Sequence, residues 1–149
     1  MYICVFKYLI TFIRMSKVVH ISEAASLAVH SMAIIASGKA KLNVGQIAAY
    51  TGSSKNHLAK VLQILVKNDY LDSNRGPKGG FVLKAGAEKV SLLEIYELIE
   101  GTIEKCHCGI ADNKCPFINC VFGDLSDKFS ADFIEYLSKT KIADIKTKL

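Results

Sequence analysis

Four thiols stand within fifteen residues, in the run Cys106-His107-Cys108-Gly109-Ile110-Ala111-Asp112-Asn113-Lys114-Cys115-Pro116-Phe117-Ile118-Asn119-Cys120, while the only other cysteine is Cys4. Thiolates are soft donors that select zinc, copper(I) or iron-sulfur clusters, and a short loop carrying several of them can wrap one metal centre. Gly109, Asp112-Asn113 and Pro116 are turn formers, so the segment reads as a loop. The spacing C-x-C-x6-C-x4-C is neither the paired C-x2-C of a zinc ribbon nor a thioredoxin-like C-x-x-C. A disulfide framework fits poorly because nothing in the chain marks secretion, and a cytoplasmic location is expected. Cys106, Cys108, Cys115 and Cys120 are therefore candidate metal ligands.

The rest of the chain must position that loop. Its 149 residues suit about one domain, and a hydrophobic content of 50% is ample for a core. The formal charge of +5 is modest, so its location matters more than its size. Residues 53–84 hold six cations (Lys55, Lys60, Lys67, Arg75, Lys78, Lys84) against Asp69 and Asp72, whereas residues 106–149 net zero. One region should attract polyanions and the other end should not.

Residues 1–14 (MYICVFKYLITFIR) are apolar but interrupted by Lys7, and shorter than the about 20 residues a spanning helix needs. They stand as an apolar N-terminal extension over residues 1–15, with three readings: an upstream addition to a true start at Met15, an added packing helix, or a membrane-surface anchor. Membrane association of the whole is not expected. Residues 22–36 have helical apolar spacing, with Ser22 as N-cap and Gly38 as stop. His30 within them reads as an ordinary helix residue. Asn43 caps a helix over 44–50 that ends at Thr51-Gly52, and Ser54 caps another over 55–68. That helix stripes Leu58, Val61, Leu62 and Leu65, and opens with Lys55, Asn56, His57 and Lys60.

Two helices joined by a short turn, the second opening with polar and basic residues, form the arrangement that places a recognition helix in the major groove. A strand over 70–73, a loop over 74–80 and a return strand over 81–83 follow. Such a hairpin is the wing of a winged helix, able to lay Arg75 and Lys78 against phosphates or in the minor groove, with glycines keeping the tip slim. The fold class expected is mainly α with a small β-wing: a winged helix-turn-helix over 16–90, then a cysteine loop and long C-terminal dimerisation helix over 91–149.

These residues also carry a family resemblance. Leu27 to Ala36 (LAVHSMAIIA), the I-A-x5-S-x-x-H-L run from Ile47 to Leu58 and above all SNRGPKGGFVL from Ser73 to Leu83 resemble the winged-helix iron-sulfur transcriptional regulators that include IscR and NsrR. The resemblance implies a dimeric regulator that binds a palindrome-like DNA operator, with affinity tuned by a cysteine-ligated cluster near the dimer interface. Position by position, Ser54, Asn56 and His57 match the recognition helix, and Arg75, Pro77 and Lys78 match the wing. Ala59 departs, since several relatives carry there a Glu that restricts which operators bind. Four candidate cysteines also depart from the three typical of the family. Cys115 is the best matched, because Asp124-Leu125-Ser126-Asp127 resembles the helix after the last family cysteine. Cys106 and Cys108 compete for the first position or both ligate, Cys120 lies where a non-cysteine ligand or helix residue stands in relatives, and His107 is an alternative to one sulfur. The cofactor implied is a 2Fe-2S or 4Fe-4S cluster.

Ser91 and Glu94 spell a capping box for a helix ending at Gly101, which should join the DNA-binding half to the sensor loop. Residues 121–138 put Val121, Phe122, Leu125, Phe129, Phe133, Tyr136 and Leu137 mostly on one helical face, although Gly123 weakens its first turn. A helix beyond the wing has little domain left to cover, so that face is expected to pair two protomers. A short helix and lysine-rich tail are expected over 140–149. Two other classes keep the same DNA residues: a zinc protein, and a metal-free thiol-redox repressor forming disulfides among the same cysteines. No phosphate-binding glycine loop, nucleophile elbow or catalytic carboxylate pair is present, so no enzymatic activity or substrate is expected.

Overall fold

The computed structural model describes residues 21–38, 40–76, 79–103, 116–118, 121–123 and 125–148. Its centre is α1 (Glu23–Ser37), which buries residues nearly all round its axis, from Ala25 and Leu27 to Ile34 and Ile35. A helix apolar on every side must be enclosed. It packs against α2 (Val44–Thr51), α3 (Lys55–Lys67), the return strand β2 (Gly80–Leu83) and α4 (Leu92–Glu100). Ser22 caps α1 by accepting from the Ala25 N–H at 3.1 Å.

α2 and α3 are fixed at their starts in the same way. The Asn43 side chain accepts from Gln46 N–H, and Gln46 returns the bond to the Asn43 N–H, a reciprocal capping box. Gly52 then takes φ 68°, a left-handed turn that ends α2 and that a side chain would strain. Ser54 caps α3 through the His57 N–H, and the stripe Leu58, Val61, Leu62 and Leu65 is buried against α1 and α2. Asp69, at φ 64°, closes α3, with Tyr70 N–H reaching back to Leu65 C=O at 3.0 Å. That bond satisfies an end carbonyl of the helix and aims the chain into the hairpin.

The hairpin pairs β1 (Leu71–Asn74) with β2 antiparallel, Leu71 opposite Leu83 and Asn74 opposite Gly80. Leu42 adds a bridge on the far side of Phe81, a third strand position that its sequence neighbourhood did not announce. A 3₁₀ turn, Ala87–Lys89, leads to α4, whose Ser91–Glu94 capping box forms as expected. The last helix, α5 (Leu125–Lys139), begins four residues later than the apolar stripe from Val121 implies. Gly123 at φ 56° turns the chain there, so residues 121–123 form a turn in front of the helix. Beyond α5 the chain returns to the start of α4: Leu92 N–H bonds Thr140 C=O at 2.9 Å and Ile142 N–H bonds Val90 C=O at 3.1 Å. The expected short C-terminal helix is a single 3₁₀ turn, Ile142–Asp144, that buries Ile142. The architecture is thus mainly helical with a small two-stranded antiparallel wing. Among the described residues no helix is long and apolar enough to cross a membrane.

Candidate nucleic-acid interface

α3 divides its surface between two tasks. Its apolar stripe locks it to the core, which leaves Ser54, Lys55, Asn56 and Lys60 exposed at and near its first turn and His57 partly exposed. With α2 in front of it and a left-handed Gly52 turn between them, α3 stands where the second helix of a helix-turn-helix stands. Its N-terminus carries a partial positive charge, and the side chains around it can donate to phosphate oxygens or to base edges.

The wing shows why its glycines are needed. A Cβ on Gly79 would lie 2.2 Å from the Asn74 carbonyl oxygen, and one on Gly80 would lie 2.8 Å from the Leu42 carbonyl oxygen. Both neighbours are backbone and neither can swing away, so only glycine lets the hairpin close this tightly. Gly76, at φ 114°, accepts the Gly79 N–H at 2.9 Å across the tip. Arg75 is exposed beside it; Pro77 and Lys78 lie outside the described residues. At the wing's base the Lys84 ammonium donates to Asp69, and that hydrogen bond raises the amine above its ordinary range despite some desolvation. Lys84 is therefore engaged within the fold, and the exposed cations at the start of α3 and on the described part of the wing are Lys55, Lys60 and Arg75, with Lys67 exposed at the far end of α3.

Cys106, Cys108, Cys115, Cys120 and His107 lie outside the described residues. Among the described residues no group of three or more His, Cys, Asp or Glu could hold a metal ion. His30 is used within α1, its Nδ1 donating to the Ser26 carbonyl at 2.7 Å. The helices on either side of the cysteine run are described. α4 and α5 meet through an edge-to-face pair, Tyr96 and Phe133, with ring centroids 5.4 Å apart. Burial raises the Tyr96 phenol above its ordinary pKa, with the Glu100 charge adding to the effect. On α5, Leu137 is 8% exposed, whereas Leu125, Phe129 and Tyr136 are 51%, 48% and 64% exposed. An apolar cleft of about 210 Å³ lies alongside, lined by Ile21, Ala25, Val29, Tyr96, Phe133 and Tyr136 among others.

Two contacts have no signature in the sequence. Glu23, in the first turn of α1, places Oε1 3.4 Å from His57 Nδ1 at the start of α3. Its neighbour Ser22 donates its hydroxyl to Glu100, the last residue of α4. The partners are 34 and 78 positions apart in the chain, and no periodicity links them.

Comparison with known proteins gives one consistent picture. Residues 21–148 match the family model Rrf2, described as iron-dependent transcriptional regulator. Over 62 residues the chain is 42% identical to BadM of Rhodopseudomonas palustris, described as an HTH-type transcriptional regulator, a match covering 42% of this chain and 40% of BadM. It is 26% identical over 128 residues to an HTH-type transcriptional regulator of Aquifex aeolicus, covering 83% of this chain and 89% of the relative. Among solved structures, CymR of B. subtilis, described as its global cysteine regulator, superposes with a TM-score of 0.69 at 21% identity, over 85% of this chain and 95% of CymR. IscR of T. potens superposes with a TM-score of 0.64 at 22% identity, over 85% of each chain. The matched family and relatives are transcriptional regulators, not enzymes.

Proposed function

We propose, from the premise that this chain belongs to the Rrf2 family of transcriptional regulators, that it acts as a homodimer whose operator affinity is tuned by an iron-sulfur cluster held in residues 106–120. The observation that carries the DNA-binding part is the exposed polar start of α3, where Ser54, Lys55, Asn56, His57 and Lys60 surround a helix N-terminus behind the Gly52 turn. In this reading those side chains enter the major groove, and Arg75, Pro77 and Lys78 follow the adjacent backbone or minor groove. The exposed face of α5 and the apolar cleft beside it support two-fold pairing. Leu125, Phe129 and Tyr136 are large, share one side of the helix by their spacing and are left in water by the single chain, as the apolar part of an interface is before it is covered. A two-fold dimer presents two α3 helices to half-sites about one turn of DNA apart.

The support for the cluster is the chemistry of the donor set: four thiols in a turn-rich run match the thiolate ligation of such centres, and Cys115 is the ligand that the family resemblance matches best. When bound, a cluster there supplies reactivity toward oxygen, nitric oxide or peroxide. The chain's own part is transmission. Cys106 follows Glu100 by six residues, and Glu100 is joined to Ser22 at the start of α1, so a rearrangement of residues 106–120 pulls on the end of α4 and on the helix that carries α3. A protein of this kind works in the cytoplasm, where DNA is.

The test is iron and acid-labile sulfide content, with a visible spectrum, on full-length protein purified without oxygen. Stoichiometric iron and sulfide in a brown protein are expected, and Cys115→Ala should lose both and alter operator affinity. A colourless protein holding zinc, or one whose thiols cycle through disulfides without metal, keeps the DNA-binding reading and transfers sensing to zinc or to the thiols.

A further inference from the structure

Glu23 is out of place on a surface that binds a polyanion. It is an exposed carboxylate beside the first turn of α3, where each negative charge opposes phosphate binding. A carboxylate in the first turn of α1 does favour that helix's dipole, which accounts for an acid near this position but not for its contact with the recognition helix. The contact has fixed ends. Ser22 holds the start of α1 three ways: by its cap to Ala25 N–H, by its carbonyl to Ser26 N–H at 3.0 Å, and by its hydroxyl to Glu100. The main chain of His57 is held by its N–H to Ser54 Oγ at 3.2 Å, and its side chain is 36% exposed.

We infer that Glu23 is a positioning residue for His57 and thereby sets which base His57 reads. The inference rests on the DNA-binding reading above. In a neutral imidazole one nitrogen donates and the other accepts, and the environment of one decides the role of the other. In the neutral ring, a carboxylate oxygen 3.4 Å from Nδ1 favours the tautomer with its proton on Nδ1, in which Nε2 keeps its lone pair. An accepting Nε2 complements the amine donors of the major groove, adenine N6 and cytosine N4, and is repelled by the guanine O6 and N7 and thymine O4 acceptors. It is also repelled by phosphate oxygens, so His57 acts as a base reader and leaves backbone contacts to Lys55, Lys60 and Arg75. Glu23 thus trades some non-specific affinity for base discrimination. A pair this exposed adds little to stability, so its effect belongs in the selected sequence and not in the melting curve.

The experiment is selection from a randomised duplex pool at pH 8 with the full chain, run in parallel for wild type, Glu23→Ala, Glu23→Gln and His57→Ala. His57→Ala identifies the base pair that His57 reads, which is expected to place adenine or cytosine opposite the ring. Glu23→Ala and Glu23→Gln should lower discrimination at that same base pair by about tenfold, the range of one good base contact. Both should bind non-specific duplex as tightly as wild type or more tightly, the reverse of what a folding defect produces. ¹⁵N spectra of the imidazole should report Nδ1 protonation in wild type and its loss of preference in both variants. Wild-type selection of a clear motif that the Glu23 variants reproduce with equal discrimination, or unchanged imidazole shifts, overturns the proposal alone. Wild type that selects no sequence overturns the DNA-binding reading and this proposal with it.

Discussion

α3 and α5 are amphipathic helices of similar length, 13 and 15 residues, yet the fold treats them oppositely. In α3 the apolar stripe is spent inside the chain: Leu58, Leu62 and Leu65 are fully enclosed, and the polar first turn that remains outside is the surface proposed to read DNA. α5 is anchored along one side, through Phe133 on Tyr96, Leu137 and the return of the chain to α4, while Leu125, Phe129 and Tyr136 stay in water. Amphipathicity alone therefore does not say which face of a helix acts. The face left unsatisfied by the fold does: α3 leaves out the polar groups proposed to meet DNA, and α5 leaves out the apolar area proposed to meet a second protomer.

Substitutions on the two stripes should therefore fail in different assays. The largest effect is expected inside α3: Leu62→Ala leaves a cavity at the junction of α1, α2 and α3 and should cost about 2–5 kcal/mol in denaturant unfolding. If it costs no more than a surface change, α3 is not locked to the core as described. On α5, Phe129→Asp should weaken dimerisation by about 2 kcal/mol or more while moving the monomer's own stability by only about 0.5 kcal/mol. Sedimentation at several concentrations checks this, and an unaltered dimer would move the interface elsewhere.

The wing offers an intermediate case, because its working part is backbone. Gly80→Ala drives a Cβ against the Leu42 carbonyl and should cost about 1–3 kcal/mol, with loss of the Leu42–Phe81 bridge visible as faster amide exchange at Phe81. The smallest effect on stability belongs to Arg75→Ala, which removes an exposed side chain at the wing. Its melting curve should match wild type, while the slope of log affinity against log salt falls by about 1. A slope that does not change would remove Arg75 from the phosphate contacts.

What the sequence made legible follows the same division. The caps at Ser22, Asn43, Ser54 and Ser91 are local side-chain to backbone bonds, and each sits where the spacing of polar and apolar residues puts it. The wing was legible because its two closest approaches demand glycine, so the geometry is written in residue type. β1 runs one residue later than expected, over 71–74, since Asp69 in the left-handed region lengthens the turn out of α3. The start of α5 was misjudged because apolar spacing continues through Val121 and Phe122, while the conformation is decided by Gly123. The Leu42 bridge, the Ser22–Glu100 bond and the Glu23–His57 contact join residues far apart in the chain, and no local pattern encodes them. The cysteine run was conspicuous by composition, and its ligand set is a matter of donor chemistry and not of described geometry.

The cluster proposed for residues 106–120 is expected to govern DNA binding by α3 and the wing. The most direct measurement is the affinity of the anaerobically purified dimer for its selected operator, before and after iron is removed by a chelator, at one fixed salt concentration. A change of about 5-fold or more is expected, the range of a typical coupling between sites, reversed on restoring iron and sulfide and absent in Cys115→Ala. Equal affinity in the iron-loaded and iron-free protein would contradict it.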